Sequence, residues 1–195
     1  QTGVRGAIQD ITDRKEREQE LKRMREFFTE AEDLGNLGAW EFDADGTLVW
    51  TDGTRHIHEV DEGFTPTMEQ AIEFYHPEDR EIIEQAIETA LEDGEPFDRE
   101  LRLITAQDSQ RWVRVRGKVL DTEEPRTVRG ITQDITDQKE HEQELERTQE
   151  LLGHTERIAD VGSWEIDTDT RDVYWSENLF EILGVDAEDE PPLDE

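Results

Sequence analysis

One phrase is written twice in this chain. Residues 9–16 read QDITDRKE and residues 133–140 read QDITDQKE, an offset of 124 positions. The match is wider than the octet. VRGAIQDITDRKEREQEL (4–21) lies over VRGITQDITDQKEHEQEL (128–145), with fourteen of eighteen positions identical. The same offset carries Gly38-Ala39-Trp40-Glu41-Phe42-Asp43 onto Gly162-Ser163-Trp164-Glu165-Ile166-Asp167. With one residue of slippage, Trp50-Thr51-Asp52 falls on Trp175-Ser176-Glu177. A self-match of this quality at a fixed period means tandem copies of one unit. The period is that of a small domain and is too long for a solenoid repeat. The expected layout is therefore beads on a string: the last strand of one unit in 1–12, a linker helix over 13–34, a complete unit over 35–137, a second linker helix over 138–158, and the start of a further unit in 159–195. The missing initiator Met and the PPLDE ending fit a piece of a longer protein.

Composition narrows the function. Fifty-three Asp and Glu against 21 Lys and Arg give a net charge of −32. Such a surface repels nucleic acid and anionic lipid, which excludes both as direct partners. Acidity of this degree often marks disorder, but Trp and periodic apolar residues run through most of the chain. The charge instead predicts a folded protein adapted to high salt, where counterions screen self-repulsion. There is no cysteine. That excludes disulfides, thiolate metal sites, a cysteine nucleophile and a cysteinyl–flavin adduct. No apolar run approaches the ~18 residues of a membrane span, and no signal peptide is visible. A soluble, cytoplasmic chain without direct membrane contact is expected.

Along the complete unit, Leu37–Asp43 alternates as a strand with Trp40 and Phe42 on one face. Asp45-Gly46 suits a tight hairpin turn into a second strand over 47–51. Residues 52–75 form short helical pieces broken at Gly63 and Pro66. Ile82, Ile83, Ala86, Ile87, Ala90 and Leu91 then lay one apolar stripe on a helix over about 78–92, ended by Gly94. Three longer strands follow over 97–105, 111–121 and 127–135. Leu101 and Leu103, then Val113, Val115 and Val119, then Ile131, Gln133 and Ile135 are expected to face the helices. Two strands, a helical middle and three strands make an α+β unit: one five-stranded antiparallel sheet with helices on one face, flanked by linker helices.

Gly38-x-Trp40, Trp50-Thr51-Asp52, Tyr75-His76-Pro77-Glu78-Asp79-Arg80, Arg111-Trp112-Val113, Gly130 and Asp134-Ile135-Thr136-Asp137 stand in that order. Together they resemble a PAS domain with its PAC-type C-terminal portion. The acidic style resembles multi-PAS sensor proteins of halophilic archaea, either histidine kinases or transducer- or bacterio-opsin-activator-like regulators. The resemblance implies the strand order 2-1-5-4-3, a small cavity between sheet and long helix, and a sensory or dimerising input role. It also implies that the Asp-Ile-Thr element is the output joint, here Asp10, Ile11 and Thr12, and again Asp134, Ile135 and Thr136. Haem-binding PAS domains ligate iron from a histidine on the long helix. Residues 78–92 hold none, which disfavours haem.

The repeated octet sits where a strand ends and a helix begins. Asp13-x-x-Glu16 and Asp137-x-x-Glu140 read as capping boxes. Leu21, Met24, Phe28 and Ala31 follow the first, and Leu145, Thr148, Leu152 and Thr155 the second, with the spacing of a short coiled-coil seam. An Asp134 tie to Arg114 or Arg116 of the neighbouring strand is expected at the joint. A ligand pocket is expected among Phe74, Ile83, Ile87, Leu101, Val113 and Gln133. A buried amide needs partners, so Gln133 is either tied to the backbone or presented to a ligand. His56 and His58 share a face only if they lie on a strand, so no metal site is expected. His76 reads as a helix-start residue, and His141 lacks the context of a phosphoacceptor. No catalytic residue and no particular cofactor is indicated. The expected function is a sensory module relaying a ligand or conformational signal through coiled-coil linker helices to an output domain of the same parent chain, as a homodimer. The alternatives are a ligand-free dimerisation and spacer array, or the input region of a sensor histidine kinase.

Overall fold

The structure, a computed structural model, describes residues 12–43, 45–120 and 127–185. The expected strand of a preceding unit, with Asp10 and Ile11, lies outside these residues; only its Thr12 is described, at the start of a helix. The chain divides into two compact units, one ending at Thr136 and one beginning at Asp137.

The first unit contains α1 (Thr12–Gly35), β1 (Leu37–Asp43), β2 (Leu48–Trp50), α2 (Asp52–His58), α3 (Met68–Glu73), α4 (Arg80–Asp93), β3 (Phe97–Ile104), β4 (Gln110–Leu120) and β5 (Thr127–Asp134). The five strands form one sheet in the order β2-β1-β5-β4-β3, with every neighbouring pair antiparallel. This is the α+β arrangement expected from the sequence. The β1–β2 turn uses Gly46 at φ 91, a left-handed value that glycine adopts without a Cβ penalty. Thr67 and Gln70 close a capping box on α3. In α4, Ile83, Ala86, Ile87 and Ala90 are buried, and Gly94 in the left-handed region ends the helix. Asp79 stands before α4, but its carboxylate reaches across to β3. It accepts the Arg102 backbone N–H at 2.8 Å and the guanidinium at 2.6 and 3.0 Å.

The core lies between α2–α4 and the sheet. Leu101, Leu103, Val113 and Val115 face it as expected and are fully buried. Trp40 and Phe97 stack at 6.2 Å between ring centroids. They lie over Gly117 and Gly130, which face each other across the β4–β5 register. A Cβ on Gly130 would sit 2.3 Å from Trp40, and one on Gly117 2.5 Å from Phe97. Bare backbone is therefore required under the two rings.

This floor corrects one expectation. In β5 it is Val128, Gly130 and Thr132 that are buried toward the helices. Ile131 and Gln133 lie on the opposite face, because the strand alternates and Gly130 must sit under Trp40. Ile135, just past the strand, is buried.

The second unit begins in α5 (Thr136–Ala159) and continues through β6 (Trp164–Ile166), β7 (Val173–Trp175) and α6 (Glu177–Leu183). Strands β6 and β7 pair antiparallel. Leu145, Leu151 and Leu152 of α5 are exposed.

Candidate functional site: the joint at the end of β5

Strand β5 ends at Asp134, and its carboxylate does two jobs at once. Oδ1 accepts the Thr136 backbone N–H at 2.9 Å and the Thr136 hydroxyl at 2.6 Å. Oδ2 accepts from Arg111 Nη1 at 2.9 Å. Thr136 in turn accepts the Trp112 N–H of β4 through its hydroxyl at 3.0 Å, while Ile135 donates its N–H to the Trp112 carbonyl at 2.8 Å. Strand end, neighbouring strand and first helical turn are thus laced by Asp134, Ile135 and Thr136, the three residues expected to form the joint.

Two details differ from expectation. The register sets Arg114 opposite Gln133 and Arg116 opposite Ile131, on the far face of the sheet. Arg114 pairs there with Asp98. The arginine that reaches Asp134 is Arg111, at the end of β4 and on the same face as the carboxylate. The helix also starts one residue before Asp137, which lies inside the first turn. An Asp bonding the backbone two residues on offers the chain an earlier start than the expected capping box.

The joint extends to α2. Arg111 Nη2 reaches Glu59 Oε1 at 2.7 Å, and Glu59 Oε2 accepts the Thr105 hydroxyl at 2.5 Å. The Thr105 hydrogen bond, with Arg111 beside it, holds the Glu59 carboxyl below its usual range. Glu59 adopts φ 55 at the C-terminus of α2. A chain of bonds therefore runs Thr105–Glu59–Arg111–Asp134–Thr136. Reading the sequence missed Glu59 and Arg111, since a left-handed glutamate and a partner 52 residues away leave no local signal.

The expected ligand pocket is only partly assembled. Ile83 and Ile87 line a cavity of ≈ 30 Å³ between α4 and the sheet, beside Trp50, His58, Tyr75 and Thr132. That is about the volume of one water molecule. Leu101 and Val113 are packed in the core. Phe74 joins an aromatic cluster with Trp50, His58 and Phe64. Gln133 lies outside the cavity, with Nε2 donating to the Gly35 carbonyl at 3.4 Å and Oε1 accepting from Arg116 at 3.5 Å. His56 and His58 lie on helix α2. His58 is buried against Trp50 at 4.2 Å, with Nδ1 2.8 Å from the Thr54 carbonyl. Burial pushes its pKa down to about 4, so the ring is neutral at pH 7. His76 accepts the Glu78 N–H at 3.3 Å, a local turn bond.

The far face of the sheet carries a larger groove of ≈ 780 Å³, bordered by Phe28 of α1, Ala39, Val49, Lys118 and Ile131. Among the described residues no helix is long and apolar enough to cross a membrane.

A single antiparallel sheet in the order 2-1-5-4-3, helices on one face and a laced exit into a helix define an α+β input-type domain. Residues 47–132 match the family model PAS_3, described as the PAS fold, and the first unit has that fold. The chain is similar to the probable diguanylate cyclase DgcE of Escherichia coli (strain K12), at 30% identity over 148 residues, covering 74% of this chain and 13% of the relative. It is also similar to a blue-light-activated histidine kinase of Brucella ovis, at 33% identity over 116 residues, covering 56% of this chain and 22% of the relative. The chain thus spans less than a quarter of either relative. Among solved structures, a sensory box histidine kinase/response regulator from Burkholderia thailandensis E264 aligns with a TM-score of 0.53 and 27% identity, over 64% of this chain and 96% of that one.

Proposed function

We propose that the first unit is a sensory PAS module that relays a conformational signal through its linker helices to an output domain of the same parent chain. The observation that carries this is Asp134, bonded to the sheet through Arg111 and to the first turn of α5 through Thr136. A shift of the sheet end moves the helix start with it. The ≈ 30 Å³ cavity supports a module working by conformation, or with a very small ligand, over one built around a large cofactor. The parent is read as a cytoplasmic sensor histidine kinase or a related signalling protein, in line with its relatives.

The linker helices support a homodimer. Leu21, Met24 and Phe28 of α1 are exposed, as are Leu145 and Leu152 of α5. Phe28 also borders the groove on the open sheet face, so the exposed apolar residues of α1 and the groove form one apolar surface suited to a second copy. In the parent protein, one residue inserted after Glu146 turns everything downstream by ~100°, while seven restore the face to within ~20°. Regulation is expected to be lost with one inserted residue and largely kept with seven. Equal behaviour of the two would overturn the relay.

The net charge of −32 supports a halophilic setting. Self-repulsion weakens as the Debye length falls from ~10 Å at 0.1 M salt to ~3 Å at 1 M. The melting temperature is expected to rise as KCl enters the molar range, and a flat response would remove this reading.

A further inference from the structure

Glu32 lies one turn before the end of α1, on a helix that is otherwise mostly exposed, yet it is only 3% exposed. A carboxylate is seldom buried unless its oxygens are bonded. Here Oε1 accepts the Ala39 N–H of β1 at 3.1 Å and the hydroxyl of Thr51. The Ala39 N–H also donates to Thr51 Oγ1 at 2.8 Å, and the Thr54 hydroxyl donates to the Ala39 carbonyl at 2.8 Å. Helix α1, strand β1 and the start of α2 therefore meet around one carboxylate. Glycine makes room for it: a Cβ on Gly53 would lie 3.0 Å from Glu32 Cδ and 2.4 Å from the Leu37 carbonyl. Four residues on, Asn36 at φ 47 turns α1 into β1, and its carbonyl accepts the Asp134 N–H at 2.8 Å. Asp134 is the residue that holds the first turn of the outgoing helix.

The second unit builds a partial counterpart. Glu156 stands 124 positions after Glu32, on α5, and its carboxylate accepts the hydroxyl of Ser163. Ser163 occupies the place of Ala39, and its N–H donates to Ser176 Oγ at 3.0 Å, as Ala39 donates to Thr51. The Glu156 carbonyl accepts from Asn178 Nδ2 at 3.1 Å. Asp160, at φ 55, repeats the left-handed turn of Asn36. The five residues after the clamp differ at every position, Asp33-Leu34-Gly35-Asn36-Leu37 against Arg157-Ile158-Ala159-Asp160-Val161. The glutamate and its reach to the first residues of the strand are kept, although Glu156 is only partly buried and holds the Ser163 hydroxyl where Glu32 holds the Ala39 N–H and the Thr51 hydroxyl.

We propose that Glu32 is the input clamp of the repeat. It fixes the end of the incoming helix to β1, and the Asn36–Asp134 hydrogen bond passes a shift of that helix to the outgoing joint without passing through the helix–sheet core. This rests on the relay reading above and adds an entrance to it. A unit so built hands on a conformational change from the unit before it while its own core stays at rest.

The test is residue-resolved amide exchange on the full 195-residue chain in molar KCl. Glu32→Ala is expected to speed exchange about tenfold at Ala39 and at Asp134–Thr136, with β3 and β4 amides at Leu101–Leu103 and Val113–Val115 within about twofold of wild type. Glu32→Gln keeps the acceptor oxygen and is expected to stay near wild type at all of these. If Glu32→Ala does not fold, Glu32→Asp keeps the charge but shortens the reach, and gives the same pattern. Faster exchange at Ala39 alone would leave an anchor with no route and overturn the proposal. Uniform acceleration through β3 and β4 would make Glu32 a residue of global stability, and no change anywhere would remove the clamp. If the route fails while the one-against-seven insertion contrast holds, the output joint stands without an input clamp. If that contrast fails as well, the relay reading fails with it.

Discussion

Residues 38–58 and 162–183 spell one hairpin and helix twice, with opposite results. In the first, Trp40 pairs with Trp50, and in the second Trp164 pairs with Trp175. Helices α2 and α6 follow, each seven residues long and each ending in a left-handed residue, Glu59 at φ 55 and Gly184 at φ 67. Yet Trp40 is 7% exposed and Trp164 63% exposed. Local sequence cannot account for that gap, because the local structure is the same. The difference is β5. Strand β1 pairs with it along seven residues, and Gly130 supplies the floor on which Trp40 lies. Among the described residues β6 pairs with β7 alone. The hairpin is thus written locally, while the burial of its tryptophan is written some ninety positions downstream.

Removing each tryptophan tests this difference most directly. Trp40→Ala is expected to cost about 3–5 kcal/mol, the range for a large aromatic taken out of a packed core. Trp164→Ala is expected to stay within about 0.5 kcal/mol. Denaturant unfolding in molar KCl reads both. Equal losses would show that Trp164 is covered in solution, and the contrast between the copies would then belong to the single chain only.

Most of the fold was legible because its signals are local. The alternation in 37–43, the apolar stripe of 82–91 and the turns at Gly46 and Gly94 each depend on neighbours in sequence. What failed was the facing of β5. In Val128-Arg129-Gly130-Ile131-Thr132-Gln133 the apolar residues fall on both parities, and Ile131 with Gln133 and Ile135 looked as inward as Val128 with Thr132. The deciding residue was Gly130, whose contribution is an absence of side chain under a ring from another strand. The joint was legible as a motif, since it is repeated, but not as a network. Arg111 and Glu59 reach Asp134 through the fold, across 23 residues in one case and through a further 52 in the other.

A second test uses a position where the copies differ in chemistry. His58 of α2 corresponds to Leu183 of α6, once the one-residue slippage is counted. His58 is buried, and its pKa lies at about 4 against an ordinary 6.5. The unfolded chain takes up the proton first as pH falls, so the stability from burying a neutral ring is complete above 6.5 and is lost between 6.5 and about 4. The full loss is on the order of 3 kcal/mol. Unfolding free energies at pH 7 and pH 5 are expected to differ markedly in wild type and much less in His58→Leu, which borrows the second copy's residue. Equal slopes in the two proteins would place the pH dependence elsewhere.

The smallest effect, and the most informative about the joint, is expected at the helix C-terminus. Glu59 and Gly184 occupy equivalent left-handed positions. Glycine suits that conformation and glutamate does not. Glu59→Gly therefore relaxes the backbone but breaks the bonds to Thr105 and Arg111. Thr105 still accepts from two backbone N–H groups, but its buried hydroxyl loses the acceptor for its own proton. Arg111 is three-quarters buried and, among the described residues, retains only Asp134 as an ion-pair partner, so the guanidinium loses one of its two carboxylates. That loss is expected to win, giving a modestly lower melting temperature and faster exchange at Thr136. The Glu59 carboxyl titrates below its ordinary 4.5, so its contribution is present above that value and is lost only as pH falls through the lowered one. The advantage of wild type over Glu59→Gly is therefore expected to be constant from pH 8 to about 5 and to shrink in stronger acid, where the backbone relaxation in the variant remains. A higher melting temperature for Glu59→Gly, with Thr136 still exchanging faster, would mean that the first copy keeps a strained glutamate for its hold on the joint and at the expense of stability. A higher melting temperature with Thr136 unchanged would mean that the two copies differ at this position for no reason connected with the relay.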